Sequence, residues 1–132
     1  MKYILSIDQS TQATKVILFD ETGKLVKRVD KAHKQIISNE GFVSHDPIEI
    51  YENTIKLVKE ILNITKISSN CIAALGISNQ RETTVMWDKS GIPLADAVVW
   101  QCSRAKGIAE KYMSYSDRVH EITGLQLSPY FP

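Results

Sequence analysis

Short apolar runs separated by polar turns open the chain. Tyr3 to Ile7 and Thr14 to Phe19 read as two short strands, the second rich in the β-branched residues Thr14, Val16 and Ile17. The polar run Asp8-Gln9-Ser10-Thr11-Gln12-Ala13 predicts the turn between them. Asp20-Glu21-Thr22-Gly23-Lys24 predicts a second turn, with Gly23 free to take a positive φ. A third strand follows from Leu25 to about His33. The pattern then changes period. Asp46 can cap a helix, Pro47 suits its first position and Glu49 sits three residues after the cap. Tyr51, Ile55, Val58 and Leu62 recur at helical spacing and predict its apolar face. Cys71 to Ile77 is apolar throughout and reads as a fully buried strand. Further on come a strand from Thr84 to Trp87, the turn Asp88-Lys89-Ser90-Gly91 and a strand near Ala97 to Trp100. Helices are expected from Ser103 to about Tyr112 and from Asp117 to Ile122, the last stopping at Gly124. The order β-β-β-α-β, then more β and α, predicts an α/β domain with a mixed sheet.

Composition narrows the function classes. The 132 residues are 43% apolar with a net charge of +1, a soluble globular composition of about one domain. No basic excess points to nucleic acid, and no segment has the apolar length of a signal peptide or a membrane span. Cys71 and Cys102 lack any CxxC or Cys/His spacing, so two buried thiols in a reducing cytoplasm are expected.

Two stretches carry candidate chemistry. Asn79-Gln80-Arg81-Glu82-Thr83-Thr84 follows a strand and sets a guanidinium fork beside a carboxylate. Polyol hydroxyls both donate and accept, so Arg81 can give two bonds while Glu82 takes one. The plain alternative is a surface ion pair. The first hairpin, Asp8 to Lys15, offers a carboxylate at a strand end for Mg²⁺, with hydroxyls, backbone N–H groups and the Lys15 charge for a phosphate. Here the plain alternative is an Asp-initiated turn. His45 belongs to the helix start, His33 and His120 are surface or satisfied core residues, and Trp87 is expected in the core.

Asp8-Gln9-x-Thr11, His45-Asp46-Pro47, Asn79 to Thr84, Val99-Trp100-Gln101-Cys102 and Pro129-Tyr130-Phe131 occur in this order along the whole chain. Together they resemble the amino-terminal portion of the glycerol kinases, within the FGGY carbohydrate-kinase family. The resemblance implies the ribonuclease-H-like fold of the actin, Hsp70 and sugar-kinase superfamily, a mixed sheet with flanking helices. It further implies that Arg81 and Glu82 bind glycerol hydroxyls, Tyr130 completes the pocket and Trp100 walls the glycerol carbons. Asp8 would stand near Mg²⁺ and the transferred phosphoryl group, and Thr11, Gln12, Ala13 and Lys15 would contact the ATP phosphates.

The family hairpin reads Asp-x-Gly-Thr-Thr-Ser-x-Arg, whereas this chain has Ser10, Gln12, Ala13 and Lys15 at four of those places. Ser10 loses backbone freedom if the turn needs a positive φ, Ala13 lacks a hydroxyl, and Lys15 is a point charge in place of a fork. Members of the family are several times longer. Residues 1–132 are therefore expected to be the amino-terminal part of the first kinase domain, an incomplete domain, with the second domain and the catalytic base beyond Pro132. On that expectation the fragment alone is inactive and the full-length cytoplasmic protein is a homo-oligomer. Competing readings are an FGGY kinase for a pentose or pentulose, a non-catalytic polyol-binding module, and a ribonuclease-H-type nuclease. The last would need several converging carboxylates, and no matching set lies near Asp8.

Overall fold

Strands Tyr3–Gln9 (β1) and Ala13–Asp20 (β2) form an antiparallel hairpin in the computed structural model, which describes residues 1–131. The chain falls into two units, the first made of Met1–Lys34 and Pro47–Gln80. Alternation along the hairpin turns Leu5, Ile7, Val16 and Leu18 to one face, where they are buried. Leu25–Ala32 (β3) pairs with the outer side of β2, and Ile72–Asn79 (β6) runs parallel to β1, giving the order β3-β2-β1-β6. Helix α1, Pro47–Thr65, packs on β2 and β3 and closes the core with Leu57 and Ile61. Burying such a side chain is worth about 1.5–3 kcal/mol, so this cluster is the main stabilising element of the unit.

Three features of this unit differ from the sequence expectation. Tyr51 and Ile55 face solvent, and the buried stripe of α1 is Asn53, Leu57 and Ile61, with Val58 and Leu62 at its flank. Both stripes have helical spacing, and the sheet selects the one holding the most apolar pair. Strand β6 is not buried: Leu75 and Ile77 are 53% and 67% exposed. It lies at the sheet edge with apolar residues on both faces; Ile72 at its start packs against the core, and the residues after it are exposed. Cys71 falls outside the strand, in a short 3₁₀ turn (Ser69–Cys71), and is half-buried.

The second unit comprises Gln35–Asp46 and the chain from Arg81 onward. Two strands the sequence did not announce, Ile36–Ile37 (β4) and Val43–His45 (β5), pair antiparallel with each other, and β5 pairs with Ala97–Val98 (β7). His45 is fully buried at the end of β5, directly before α1 in the chain. The expected Thr84–Trp87 strand is reduced to two isolated bridges, Thr84 to Val98 and Trp87 to Pro93. Residues 86–94 fold back on themselves around the Asp88–Gly91 turn, where Asp88 Oδ1 accepts from the Ser90 and Ile92 amides. That local pairing turns Trp87 outward at 64% exposure, contrary to its expected place in the core. Short helices Lys106–Lys111 (α2) and Ser116–Thr123 (α3) complete the unit, and α3 ends at Gly124 with a φ of 73°. The left-handed conformation there suits a residue without Cβ.

Candidate functional site

Arg81 and Glu82 leave the end of β6 in an irregular segment, Arg81 exposed and Glu82 half-buried. Glu82 takes a φ of 65°, a conformation that costs an L-residue roughly 1–2 kcal/mol. The neighbouring backbone is fixed. Thr84 exchanges hydrogen bonds with Val98 at 3.0 and 2.9 Å, and the Thr83 hydroxyl accepts from the Trp100 amide at 3.3 Å. Trp100 meets Tyr130 edge to face, with ring centroids 5.4 Å apart, and Tyr130 meets Phe131 at 4.8 Å. The second unit thus contains Arg81, Glu82, Trp100 and Tyr130 together, with Trp100 and Tyr130 in contact and Trp100 tied to the residue after Glu82. Arg81 and Glu82 make no ion pair with each other, so the plain reading of them as a surface salt bridge is set aside. An arginine can only donate and a carboxylate only accept, so the two side chains offer complementary groups to a ligand.

The hairpin residues lie in the first unit. Asp8 and Lys15 stand opposite each other in the β1–β2 register, and their side chains form an ion pair at 2.8 Å. Ser10 closes the turn with its amide and hydroxyl both donating to Ala13 O, at 3.0 and 2.8 Å. Positive φ at non-glycine residues occurs, among the described residues, only at Lys66 and Glu82, so Ser10 fills the family's glycine position without backbone strain. Thr11 and Ala13 are half-buried and Gln12 is exposed at the tip.

Side-chain contacts from inside and outside the hairpin anchor this turn. His33, buried just past β3, donates its backbone N–H to Gln12 O at 3.2 Å, and its ring Nε2 lies 2.9 Å from Thr11 O. A carbonyl only accepts, so Nε2 carries the proton. Gln9 Oε1 accepts from the buried Thr14 hydroxyl at 2.6 Å and from Thr54 of α1 at 3.3 Å. The Thr14 contact is local to the hairpin, whereas those of His33 and Thr54 arise between elements distant in sequence.

Asp8 fits Mg²⁺ as a single half-exposed carboxylate, because that ion keeps several waters and takes phosphate oxygens as further ligands. Among the described residues no group of three or more His, Cys, Asp or Glu could hold a metal by itself. Among the same residues no helix is long and apolar enough to cross a membrane.

The sequence profile of the FGGY family of carbohydrate kinases, N-terminal domain, matches residues 3–132. The chain belongs to the FGGY family. It is 46% identical to glycerol kinase 2 of Thermotoga maritima across 99% of its own length and 27% of that protein. Its fold superposes on the Plasmodium falciparum glycerol kinase crystallised with ADP with a TM-score of 0.90 at 35% identity, covering 99% of this chain and 27% of that one. Gluconate kinase from Lactobacillus acidophilus aligns with a TM-score of 0.86 at 27% identity, over 98% and 26% of the two chains. The actin, Hsp70 and ribonuclease-H-like architecture expected from the sequence is therefore present. The chain spans about 27% of the length of the curated relatives it matches.

Proposed function

We propose that residues 1–132 are the amino-terminal part of the first domain of an ATP-dependent glycerol kinase, which makes glycerol 3-phosphate. The carrying observation is the Arg81–Glu82 segment with its positive-φ carboxylate, tied through Thr83 to the Trp100–Tyr130 corner. In this reading Arg81 donates to two glycerol hydroxyls, Glu82 accepts from one, and the two rings cover the carbon side. The Thr11–Ala13 turn and Lys15 receive the ATP phosphates. Asp8 would hold Mg²⁺, which supplies charge neutralisation on the transferred phosphoryl group. Lys15 can exchange its contact with Asp8 for a phosphate oxygen, since both partners are acceptors of the same kind. Holding a terminal hydroxyl in line is the main contribution of these residues, because phosphoryl transfer relies on positioning and charge. The base that takes the hydroxyl proton is assigned to sequence outside residues 1–132. A cytoplasmic location and self-association of the longer protein belong to the same reading.

The test is an ATP-dependent phosphorylation assay of the longest reading frame containing this chain, with glycerol, dihydroxyacetone, xylulose and ribulose. Preferred turnover of glycerol supports the proposal. Turnover of a pentulose in its place keeps the family and overturns the substrate.

A further inference from the structure

Arg104 makes more side-chain contacts in the second unit than the sequence pattern gave reason to expect. Its Nε donates to the buried Cys102 Sγ at 2.9 Å, and its Nη2 donates to the buried Ser44 Oγ at 2.6 Å and to Val43 O at 3.3 Å. The guanidinium carbon lies 5.5 Å from the centre of the Phe42 ring, within cation–π range. One planar fork therefore joins β5 to the segment that follows β7. Trp100 sits inside that segment. Cys102 N–H donates to Val99 O at 2.8 Å, closing a turn around Trp100, and Val99 N–H reaches Val43 O at 3.3 Å. Val43 O thus receives the residue before Trp100 and the guanidinium after it.

We propose that Arg104 is a positioning residue for the substrate wall: by clamping the 99–102 turn onto β5 it fixes Trp100 against Tyr130 and, through Thr83, the backbone beside Glu82. This rests on the glycerol reading given above. The hydrogen bonds of the Arg104 side chain go to Cys102, Val43 and Ser44, so its effect on the substrate wall is transmitted through the turn. Only a fork can serve it, because the acceptors lie in different directions and a lysine ammonium on a flexible stem cannot hold them together. Burial raises the Cys102 thiol above its ordinary value, but the Arg104 backbone and side-chain N–H groups and the Val43 N–H outweigh that and bring it below.

The experiment has two readouts. In the 132-residue chain with Trp87→Phe, Trp100 is the sole tryptophan, and 5-fluorotryptophan labelling gives it one ¹⁹F resonance. Arg104→Lys should shift or broaden that resonance, and Ser44→Ala, which removes one arm, should move it less in the same direction. In the longest reading frame, Arg104→Lys should raise KM for glycerol about five- to tenfold and leave KM for ATP unchanged. A folded Arg104→Lys chain with an unmoved Trp100 resonance overturns the proposal, and so does an unchanged glycerol KM in an enzyme that turns glycerol over. If Arg104→Lys fails to fold, Ser44→Ala decides by the same two criteria. Absence of glycerol turnover in the unmodified enzyme sinks the functional reading, and the clamp is then judged by the Trp100 resonance alone.

Discussion

Asp8 and Lys15 face each other across the β1–β2 hairpin at 2.8 Å, so the residue assigned to the metal neutralises the residue assigned to phosphate. Both side chains are about one-third exposed, at 38% and 29%. An ion pair that open to water contributes roughly 0–1 kcal/mol, so it adds little to the fold. Lys15→Ala should accordingly shift the denaturation midpoint of the chain only slightly. In the longer protein the same change removes a charged contact worth about 1.5–3 kcal/mol, so ATP affinity should fall by roughly tenfold or more. Lys15→Arg should tighten ATP binding, since a fork makes two-point contact with phosphate oxygens. Titration of ATP into the three proteins checks this. Equal affinities would remove Lys15 from the phosphate site.

The packing of α1 gives a stability test that distinguishes its two apolar stripes. Ile61 is fully buried, and Ile61→Ala should cost about 2–5 kcal/mol through lost burial and the cavity left behind. Ile55 is 38% exposed, and Ile55→Ala should cost well under half as much. Urea denaturation of the two variants measures both. Comparable losses would mean that α1 packs through the Tyr51–Ile55 stripe after all.

Much of the fold was legible because its determinants are local. The hairpin, the second turn, the start of α1 and the stop at Gly124 each depend on a few neighbouring residues with fixed turn or cap chemistry. What failed depended on partners. The apolar run of β6 reads as buried, but burial is set by what lies on the strand's faces, and at this sheet edge the residues after Ile72 are exposed. Trp87 was expected inside because it is large and apolar, whereas the 86–94 loop pairs with itself. Arg81 and Glu82 were singled out by their types and Trp100 and Tyr130 by the family resemblance; the structure brings the two rings into contact, and the roles of all four stay proposals. Their supports act through contacts across many residues: His33, Thr54 and Arg104 carry no motif, and the motif residues Gln9 and Thr83 reach partners the motif does not name.

Cys102 ties stability to pH with a definite sign. Burial raises its thiol, but hydrogen bonds from Arg104 and Val43 outweigh that and bring the folded value below that of the unfolded chain. The unfolded state then holds more protons between the two values, so stability rises with pH across that window. The contribution is complete above the ordinary thiol value and is lost as pH falls through the folded one. The stability gap between the wild-type chain and Cys102→Ala should therefore widen as pH is raised through the alkaline side of neutrality. Urea melts at a series of pH values measure the gap, and a constant gap would contradict the hydrogen-bond account.

Glu82 allows stability and function to be separated in one position. Its φ of 65° is easy for glycine and costs an L-residue roughly 1–2 kcal/mol. Glycine in turn loses more chain entropy on folding, about 0.5–1 kcal/mol relative to alanine. Glu82→Gly should therefore leave the chain as stable as wild type or slightly more so, whereas Glu82→Ala keeps the strain and gains nothing. Both variants lose the acceptor for a glycerol hydroxyl. At about 1.5–3 kcal/mol for a charged hydrogen bond, kcat/KM for glycerol in the longer protein should fall at least roughly tenfold in each. KM for ATP should stay where it is, since Glu82 belongs to the polyol set. Arg81→Lys should be damaging as well, because an ammonium cannot give two parallel bonds. A strained carboxylate that glycine replaces with a gain in stability and a loss of turnover is there for its chemistry. If Glu82→Gly and Arg81→Lys both keep wild-type glycerol kinetics, the segment is only a surface loop and the glycerol assignment falls with it.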